Sequence, residues 1–317
     1  MFTPISNVGV VFGAMTVGEP GNGPGRHFLT VTTHEASIKL LDIFQRHGHS
    51  EVDTARIYGG GSSEEHLGAI GWQQRGLKID TKLYPTRGKN MSYIYADEVT
   101  HSPADLRKGL KESLTALKTN KINIFYLHVP DRATPFEDTL REVNKIYDDG
   151  VFERFGLSNF QSWEVAQVCK HNGWVMPTVY QGALYAFNPL AAGFLTSAYT
   201  RDKAEFDTGD RFDPSQPVGK YLRTRYWHEP NFKALDLLRP EIAKHGITES
   251  EAAFRWLAHH SVLKKELGDA VILGASSPKH LEENLAALDK GPLPDEVVAA
   301  LEAGWEHTRV SSLKYWS

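Results

Sequence analysis

Two hydrophobic rhythms alternate along the chain. Apolar runs of strand length occupy 8–15 (VGVVFGAM), 50–55, 77–84, 122–129, 154–160 and 270–277, and a longer apolar stretch fills 176–193. Between them lie segments with apolar residues three and four apart, at 34–47, 63–75, 103–118, 135–149, 162–172, 231–245, 249–260, 278–289 and 295–307. That second spacing is the signature of amphipathic helices. Strands alternating with helices imply a parallel sheet, because parallel neighbours need a long crossover. Counting the 176–193 stretch as two runs gives eight strands and predicts an α/β fold of the (β/α)8 TIM barrel type. An open doubly wound sheet is the alternative. No linker, short-period repeat or low-complexity segment divides residues 1–317, so one barrel domain is expected.

Composition narrows the partners. A net charge of -4 gives no footprint for nucleic acid or an anionic membrane surface. A single cysteine, Cys169, excludes an internal disulfide framework and suits a reducing compartment. No apolar run approaches the ~18 residues of a membrane helix, and the first residues lack the basic-then-apolar pattern of a secretory signal. A soluble, cytoplasmic protein is expected.

Polar residues stand where the predicted strands end, and in a barrel those ends open on one face. Asp53 ends the second strand, with Tyr58 just beyond it; Lys82 lies on the third, His128 ends the fourth, Ser158 and Asn159 end the fifth, and Gln181 ends the sixth run. A phenol is a poor acid at neutral pH, but a neighbouring ammonium is expected to pull its pKa down. An Asp paired with that Lys holds it in place, and a His beside the phenol can orient a carbonyl. This set suits polarising and protonating a carbonyl oxygen. Each residue also has a plainer reading: buried Asp–Lys pairs tie loops to strands, and a lone His after a strand is commonly structural. Their placement at successive strand ends favours the catalytic reading. No metal site is expected, since the pairs His47/His49 and His259/His260 lack a Cys or carboxylate pattern. Ser62 and Ser63 lack triad partners.

Three loops read as follows. "GEPGNGPG" (18–25) lacks dinucleotide spacing and is expected to be a flexible loop at the barrel mouth. "GGGSSEE" (59–65) leads into a helix, with Glu64 and Glu65 in its favourable first turn. "LGASSPKHLEEN" (273–284) runs from strand to helix, and its N–H groups with the Ser276 and Ser277 hydroxyls would suit a phosphate; a plain N-cap explains it equally well.

The motifs "EVDTARIYGGGSSEEHLG", "IDTKLYP", "FYLHVPD", "FGLSNF", "YAFNPLAAGFLT" and "ILGASSPKHLEEN" resemble the aldo-keto reductase family, in its order and over nearly the whole chain. The likeness is strongest to the aflatoxin-aldehyde reductase branch and its fungal relatives. The resemblance implies a (β/α)8 barrel that reduces aldehydes or ketones with NADPH, without metal or flavin, and suggests a fungal secondary-metabolite setting. It maps Asp53, Tyr58, Lys82 and His128 onto a catalytic tetrad with Tyr58 as proton donor. Asp53 also falls at the cofactor. Ser158, Asn159 and Gln181 match the residues that hold the nicotinamide carboxamide, and Phe187 the ring that stacks on it. Asn188, Leu190 and Gly193 match the pyrophosphate loop, and Arg211 a further cofactor contact. Ser276, His280, Glu283 and Asn284 match the site for the 2′-phosphate and adenine, and Arg225 a substrate-pocket Arg, beside His128. Departures are Ala198 where the loop after the seventh strand usually reaches a Lys, His280 where relatives carry Gln or Arg, and a "KYWS" end in place of a terminal Arg. The first two weaken the preference for NADPH over NADH; the third argues against succinic semialdehyde as substrate.

Spacing exposes one anomaly. Asp53 to Lys82 is 29 residues and His128 to Asn159 is 31, yet Gln181 to Phe187 is 6. A parallel neighbour needs about a dozen residues of crossover, so the chain lacks the sixth helix and the barrel is expected to be incomplete around its sixth and seventh strands. Three outcomes are open: one fused strand, one half expelled as a loop, or a full-length product with a segment this chain lacks. The third is favoured, because removing a helix should bare apolar surface at a cost of many kcal/mol against a stability of about 5–15. The function expected is carbonyl reduction. The alternative is a damaged or non-catalytic reductase fold that binds a nucleotide or a partner.

Overall fold

The computed structural model describes residues 6–21, 25–92, 95–170, 173–179, 183–207, 210–312 and 314. Its eight strands are β1 (Gly9–Gly13), β2 (Glu51–Asp53), β3 (Lys78–Leu83), β4 (Ile122–Leu127), β5 (Phe152–Leu157), β6 (Pro177–Val179), β7 (Tyr185–Phe187) and β8 (Ala270–Leu273). All pairings are parallel, in the order β6-β5-β4-β3-β2-β1-β8-β7. Helices α1 (His34–Arg46), α2 (Ser62–Ala69), α3 (Pro103–Ala116), α4 (Phe136–Asp148) and α5 (Ser162–Val168) follow β1 to β5 in turn. Then the rhythm breaks: no helix separates β6 from β7 among the described residues. Three helices, α6 (Pro217–Tyr226), α7 (Glu229–Lys244) and α8 (Glu249–His259), precede β8, and α9 (Pro278–Leu288) and α10 (Asp295–Thr308) follow it.

The architecture is thus the expected (β/α)8-type barrel with an unsealed seam. The helices match their predicted positions except in two places. The second helix stops at Ala69, short of 75, because the chain turns away through Gly71 at φ 69. Residues 217–226, where the spacing predicts no helix, form α6, whose only buried residue is Gly219 and whose Leu222 and Tyr226 pack half-buried against an aromatic cluster.

The core lies mainly between strands and helices. Outward-facing Phe12, Val52, Ile79, Phe125, Phe155 and Val271 meet Leu40, Leu41 and Phe44 of α1, Leu106 and Leu110 of α3, Leu140 and Val143 of α4 and Leu281 and Leu285 of α9. Alternate strand residues point the other way. Ile124 and Tyr126 of β4, Val179 of β6 and Tyr185 of β7 form a separate apolar cluster. Gly156 of β5 makes room there, since a Cβ on it would come within 2.3 Å of the Tyr126 ring.

Residues 180–182 lie outside the described residues, and the strands on either side of them are neither fused into one ladder nor expelled as a loop. Both halves pair: Gly156 of β5 with Val179, and Tyr185, Ala186 and Phe187 with Ala270, Val271 and Ile272 of β8. Between β6 and β7 the ladder shrinks to an isolated bridge, Val179 to Ala183, with Ala183 N donating to Thr178 O at 3.1 Å. Side chains do the rest of the joining. Tyr185 Oη donates to Glu51 Oε1 of β2 at 2.7 Å. Arg154 of β5 donates to Thr178 Oγ1 of β6 at 3.4 Å and to Tyr185 Oη at 3.5 Å. Asp269 fixes where β7 starts, accepting from Leu184 N at 2.7 Å and Lys264 N at 2.8 Å. Large apolar side chains left exposed on the flanking elements include Trp163, Met176, Leu184 and Phe187.

Tyr185→Phe keeps the ring and removes the donor to Glu51. It is expected to lower the free energy of unfolding by about 1–2 kcal/mol in urea melts, the range for a hydrogen bond to a charged, half-buried acceptor. No change would mean that the backbone alone holds the joint.

Candidate active site

Asp53, Lys82 and Tyr58 come together because β2 and β3 are neighbours in register. Asp53 pairs with Asp80, which brings Asp53 and Lys82, both two residues apart on their alternation, to the same end of the barrel. Lys82 Nζ donates to Asp53 Oδ1 at 2.5 Å and to Thr54 O at 2.7 Å. It also lies 5.2 Å from the centroid of the Tyr58 ring and 5.5 Å from that of Tyr126. The His128 ring stands edge-on to Tyr58, with centroids 5.8 Å apart, and edge-on to Tyr84 at 5.2 Å.

Tyr58 is set by the glycines that follow it. Gly59, Gly60 and Gly61 adopt φ 57, 63 and 98, a left-handed run that swings the chain straight into α2. At Gly61 a Cβ would sit 2.1 Å from Arg56 Nη2. Arg56 is there because Glu64 holds it at 2.5 Å, and Glu64 also accepts from Thr81 Oγ1 at 2.5 Å. Glu64 stands in the first turn of α2 as expected, and this brace leaves it fully buried. Nothing in the local pattern marks this Arg56–Glu64–Thr81 brace, whose partners sit on three different segments.

Burial dominates the electrostatics. It pushes the Tyr58 phenol above its ordinary pKa, with Lys82 pulling down and Asp53 adding to the push. The downward shift expected from Lys82 is thus overridden, and Tyr58 is protonated at neutral pH. For Lys82 burial works against the charge, but Asp53 and Tyr58 outweigh it and the pKa rises. The ammonium with its two oxygen acceptors is held as a cation. His128 is pushed well below its ordinary value by burial and by the nearby cations, Lys82 first, so its ring is neutral. Its Nδ1 is buried without a hydrogen-bond partner among the described residues, as is Asp53 Oδ2.

Around this centre, Asn159 takes φ 61 at the end of β5, where its Nδ2 donates to His128 O at 3.0 Å and Ser158 Oγ at 2.8 Å. Phe187, two residues beyond the inward Tyr185, ends β7 with 57% of its surface exposed. Gln181 lies outside the described residues. In the loop after β7, Asn188, Ala191, Ala192 and Gly193 all have positive φ. The N–H groups of 191 to 195 are consumed by Asn188, Leu190 and Ala191. Arg211 is half-buried and makes no ion pair among the described residues, and burial pulls its pKa down. Where the sequence has Ala198 in place of Lys, Lys203 reaches back to Ala198 O at 3.2 Å, though Asp210 also holds it at 3.2 Å. At the start of α9, Ser277 is an N-cap that accepts from His280 N at 3.2 Å, Ser276 Oγ meets His280 Nδ1 at 3.0 Å, Lys279 pairs loosely with Glu283 at 3.8 Å, and Asn284 is buried. Arg225 donates to Tyr221 Oη at 2.6 Å on the exposed side of α6. His259 and His260 serve as struts, bonding to Lys290 O and Leu293 N.

A parallel barrel with a buried Asp53–Lys82 pair and the half-buried Tyr58 and His128 rings at one end is an oxidoreductase-type arrangement, able to offer a proton to a carbonyl oxygen. The family model described as Aldo/keto reductase family matches residues 9–184 and 183–306, breaking at the β6–β7 joint. An aldo-keto reductase of Pseudocercospora fijiensis is 45% identical over 303 residues, covering 88% of this chain and all of the relative. The aldo-keto reductase pigE of Monascus ruber is 44% identical, covering 96% and 95%; that alignment runs over 330 positions, more than the 317 residues present here. The human aldo-keto reductase family 7 member A3 is 37% identical, covering 93% of each. A glycerol dehydrogenase of Gluconobacter oxydans shares the fold with a TM-score of 0.67 at 21% identity, covering 95% and 91%. The chain belongs to the aldo/keto reductase family, NADP(H)-dependent oxidoreductases that reduce a carbonyl to an alcohol.

The residues present fit NADP(H). Arg211 offers an unpaired guanidinium to a phosphate, Phe187 an exposed ring to a nicotinamide, and the Ser158–Asn159 pair two polar groups to an amide. No helix of the described residues is long and apolar enough to cross a membrane.

Near the site, His101 is buried and donates its ring N–H to Leu83 O, and burial lowers its pKa from 6.5 to about 4. Between those values the unfolded chain holds the extra proton, so stability rises with pH. The midpoint of urea unfolding is expected to fall as pH drops from 6.5 towards 4, with His101 contributing at most ~1.4 kcal/mol per pH unit. His101→Asn should flatten that slope; an unchanged slope would place the effect elsewhere.

Proposed function

We propose that Tyr58 is the proton donor in reduction of a small aldehyde or ketone. NADPH, when bound, supplies the hydride. The Tyr58 O–H bond breaks, the proton passes to the carbonyl oxygen, and the Lys82 ammonium, anchored by Asp53, stabilises the phenolate left behind. Neutral His128 donates an N–H to the same oxygen and orients it. Ser158, Asn159 and Gln181 hold the carboxamide, Phe187 stacks on the ring, and Asn188, Leu190, Gly193 and Arg211 surround the pyrophosphate. Ser276, His280, Glu283 and Asn284 take the 2′-phosphate and adenine, with a weakened preference for NADPH because His280 replaces a longer donor or cation. Arg225 reaches the substrate. The observation that carries this reading is Lys82 Nζ, 2.5 Å from Asp53 and 5.2 Å from the Tyr58 ring, with His128 edge-on at 5.8 Å.

Relatives named aflatoxin B1 aldehyde reductases, from human, mouse and rat, are 35–38% identical. They support placement beside that branch and an aldehyde as the first substrate to try. A setting in fungal secondary metabolism rests on the sequence resemblance, and the relatives from Pseudocercospora fijiensis, Monascus ruber and Leptosphaeria maculans fit a fungal origin. A second reading, nucleotide binding without useful turnover, is favoured by one observation: the joint beside Phe187 lacks a helix and leaves that ring exposed.

Tryptophan quenching by NADPH and NADPH consumption with an aldehyde panel separate the two. Tyr58→Phe is expected to bind NADPH as the parent does and to lose about 10²–10⁴-fold in kcat, the contribution of a positioned acid. Saturable binding with no turnover by the parent chain would favour the second reading, and equal turnover by Tyr58→Phe would rule out Tyr58 as donor.

A further inference from the structure

Away from the Asp53–Lys82–Tyr58 centre, three side chains converge that neither the sequence spacing nor the proposed reaction uses. Glu19 lies in the loop after β1, His34 is the first residue of α1, and His66 is in α2. Glu19 Oε1 stands 2.9 Å from His66 Nδ1 and 3.1 Å from His34 Nε2, and the three atoms lie within 4.8 Å of one another. The two rings meet edge to face, with centroids 4.6 Å apart. They are the one such group of three possible ligands among the described residues.

From this geometry we infer that Glu19, His34 and His66 form a site for a divalent transition-metal ion, of which zinc is the natural occupant. Two imidazole nitrogens and a carboxylate oxygen are the donor types that zinc takes, at about 2.0–2.2 Å. Ligands on a tetrahedral zinc stand roughly 3.3 Å apart. The two Glu19 distances are within tenths of an ångström of that spacing, the two ring nitrogens stand no more than 4.8 Å apart, and one coordination position is left for water. His66 is completely buried, and its other ring nitrogen, Nε2, is 2.8 Å from Ser37 Oγ. A partner on the far nitrogen is the outer-shell arrangement that fixes the ring of a metal-binding histidine. The loop carrying Glu19 is itself pinned, since Arg26 Nη1 donates to Glu19 O at 2.8 Å and Pro20 O at 3.0 Å.

The site joins the loop after β1 to α1 and α2. Helix α2 starts four residues after Tyr58, and Gly18 and Gly59 both close on Ser62 and Leu29. A bound ion would therefore lock the rim of the barrel mouth around the Tyr58 turn, as a structural clasp and not as a participant in proton transfer. This does not depend on what the mouth accepts.

The test is zinc titration by calorimetry on the full chain, free of any histidine tag and stripped with chelator. One Zn²⁺ per chain is expected, with thermal stability rising with the logarithm of free zinc above the dissociation constant. His34→Gln and Glu19→Gln alter partly exposed side chains and should leave the fold intact by circular dichroism, while weakening zinc at least ~10-fold. His245→Gln, which removes a histidine paired with Glu296 elsewhere, should bind as the parent does. Zinc binding that survives both His34→Gln and Glu19→Gln overturns the proposal, as does a parent chain that binds no stoichiometric zinc. The trio would then be a hydrogen-bonded His–Glu–His strut.

Discussion

A parallel barrel stands only if the first and last strands of its sheet meet, because an open edge leaves a row of backbone donors and acceptors unpaired. Here that meeting takes place across three-residue strands, β6 and β7, with a single backbone bridge between them. Everything above the joint, including Phe187 at the end of β7, takes its position from this closure. What makes it hold is a layer of side chains across the barrel's interior. Arg154 on β5 reaches both β6 and β7, and Tyr185 crosses to Glu51 on β2. These contacts tie the two ends of the sheet to its middle. Interior polar groups of this kind are costly unless every partner is present, which is why the layer tolerates so little change.

The same inward alternation that builds this layer builds the site above it. Glu51 and Asp53 on β2, Asp80 and Lys82 on β3, and Ile124, Tyr126 and then His128 along β4 follow a period of two. Lower positions join the barrel and upper positions make its chemistry. The result is a mouth in which burial, more than charge, sets the protonation states: Tyr58 stays a phenol and His128 a neutral ring, with Lys82 as the fixed cation between Asp53 and the aromatic faces. Such a site is prepared to give a proton rather than to take one.

Asp53, Lys82, His128, Ser158 and Asn159 were legible in the sequence because each stands at the end of an apolar run, and strand ends in a barrel converge by topology. The missing helix was legible too, since the six-position step from Gln181 to Phe187 leaves no room for a crossover. Depth was not legible. The sequence shows that Lys82 neighbours Tyr58 but not how far both are sunk below solvent, so the direction of the Tyr58 shift came out opposite. Contacts between distant segments were equally hidden: Arg56 with Glu64 and Thr81, Arg154 with Thr178 and Tyr185, and Glu19 with His34 and His66. Helix α6 escaped although Val218, Leu222 and Tyr226 stand four apart, because it is only ten residues long and opens with Pro217 and Gly219, which read as loop.

The joint between β6 and β7 also says something about how such folds are put together. Seven of the eight strand-to-strand contacts keep their ladders while one crossover is absent. The repeating unit is therefore closer to a removable stave than to a keystone. A barrel whose wall stands without one outer helix has, at that same joint, a natural graft site, where a foreign helix or a recognition segment of matching length could be added just before Ala183 with the Asp53–Lys82–Tyr58 group left untouched.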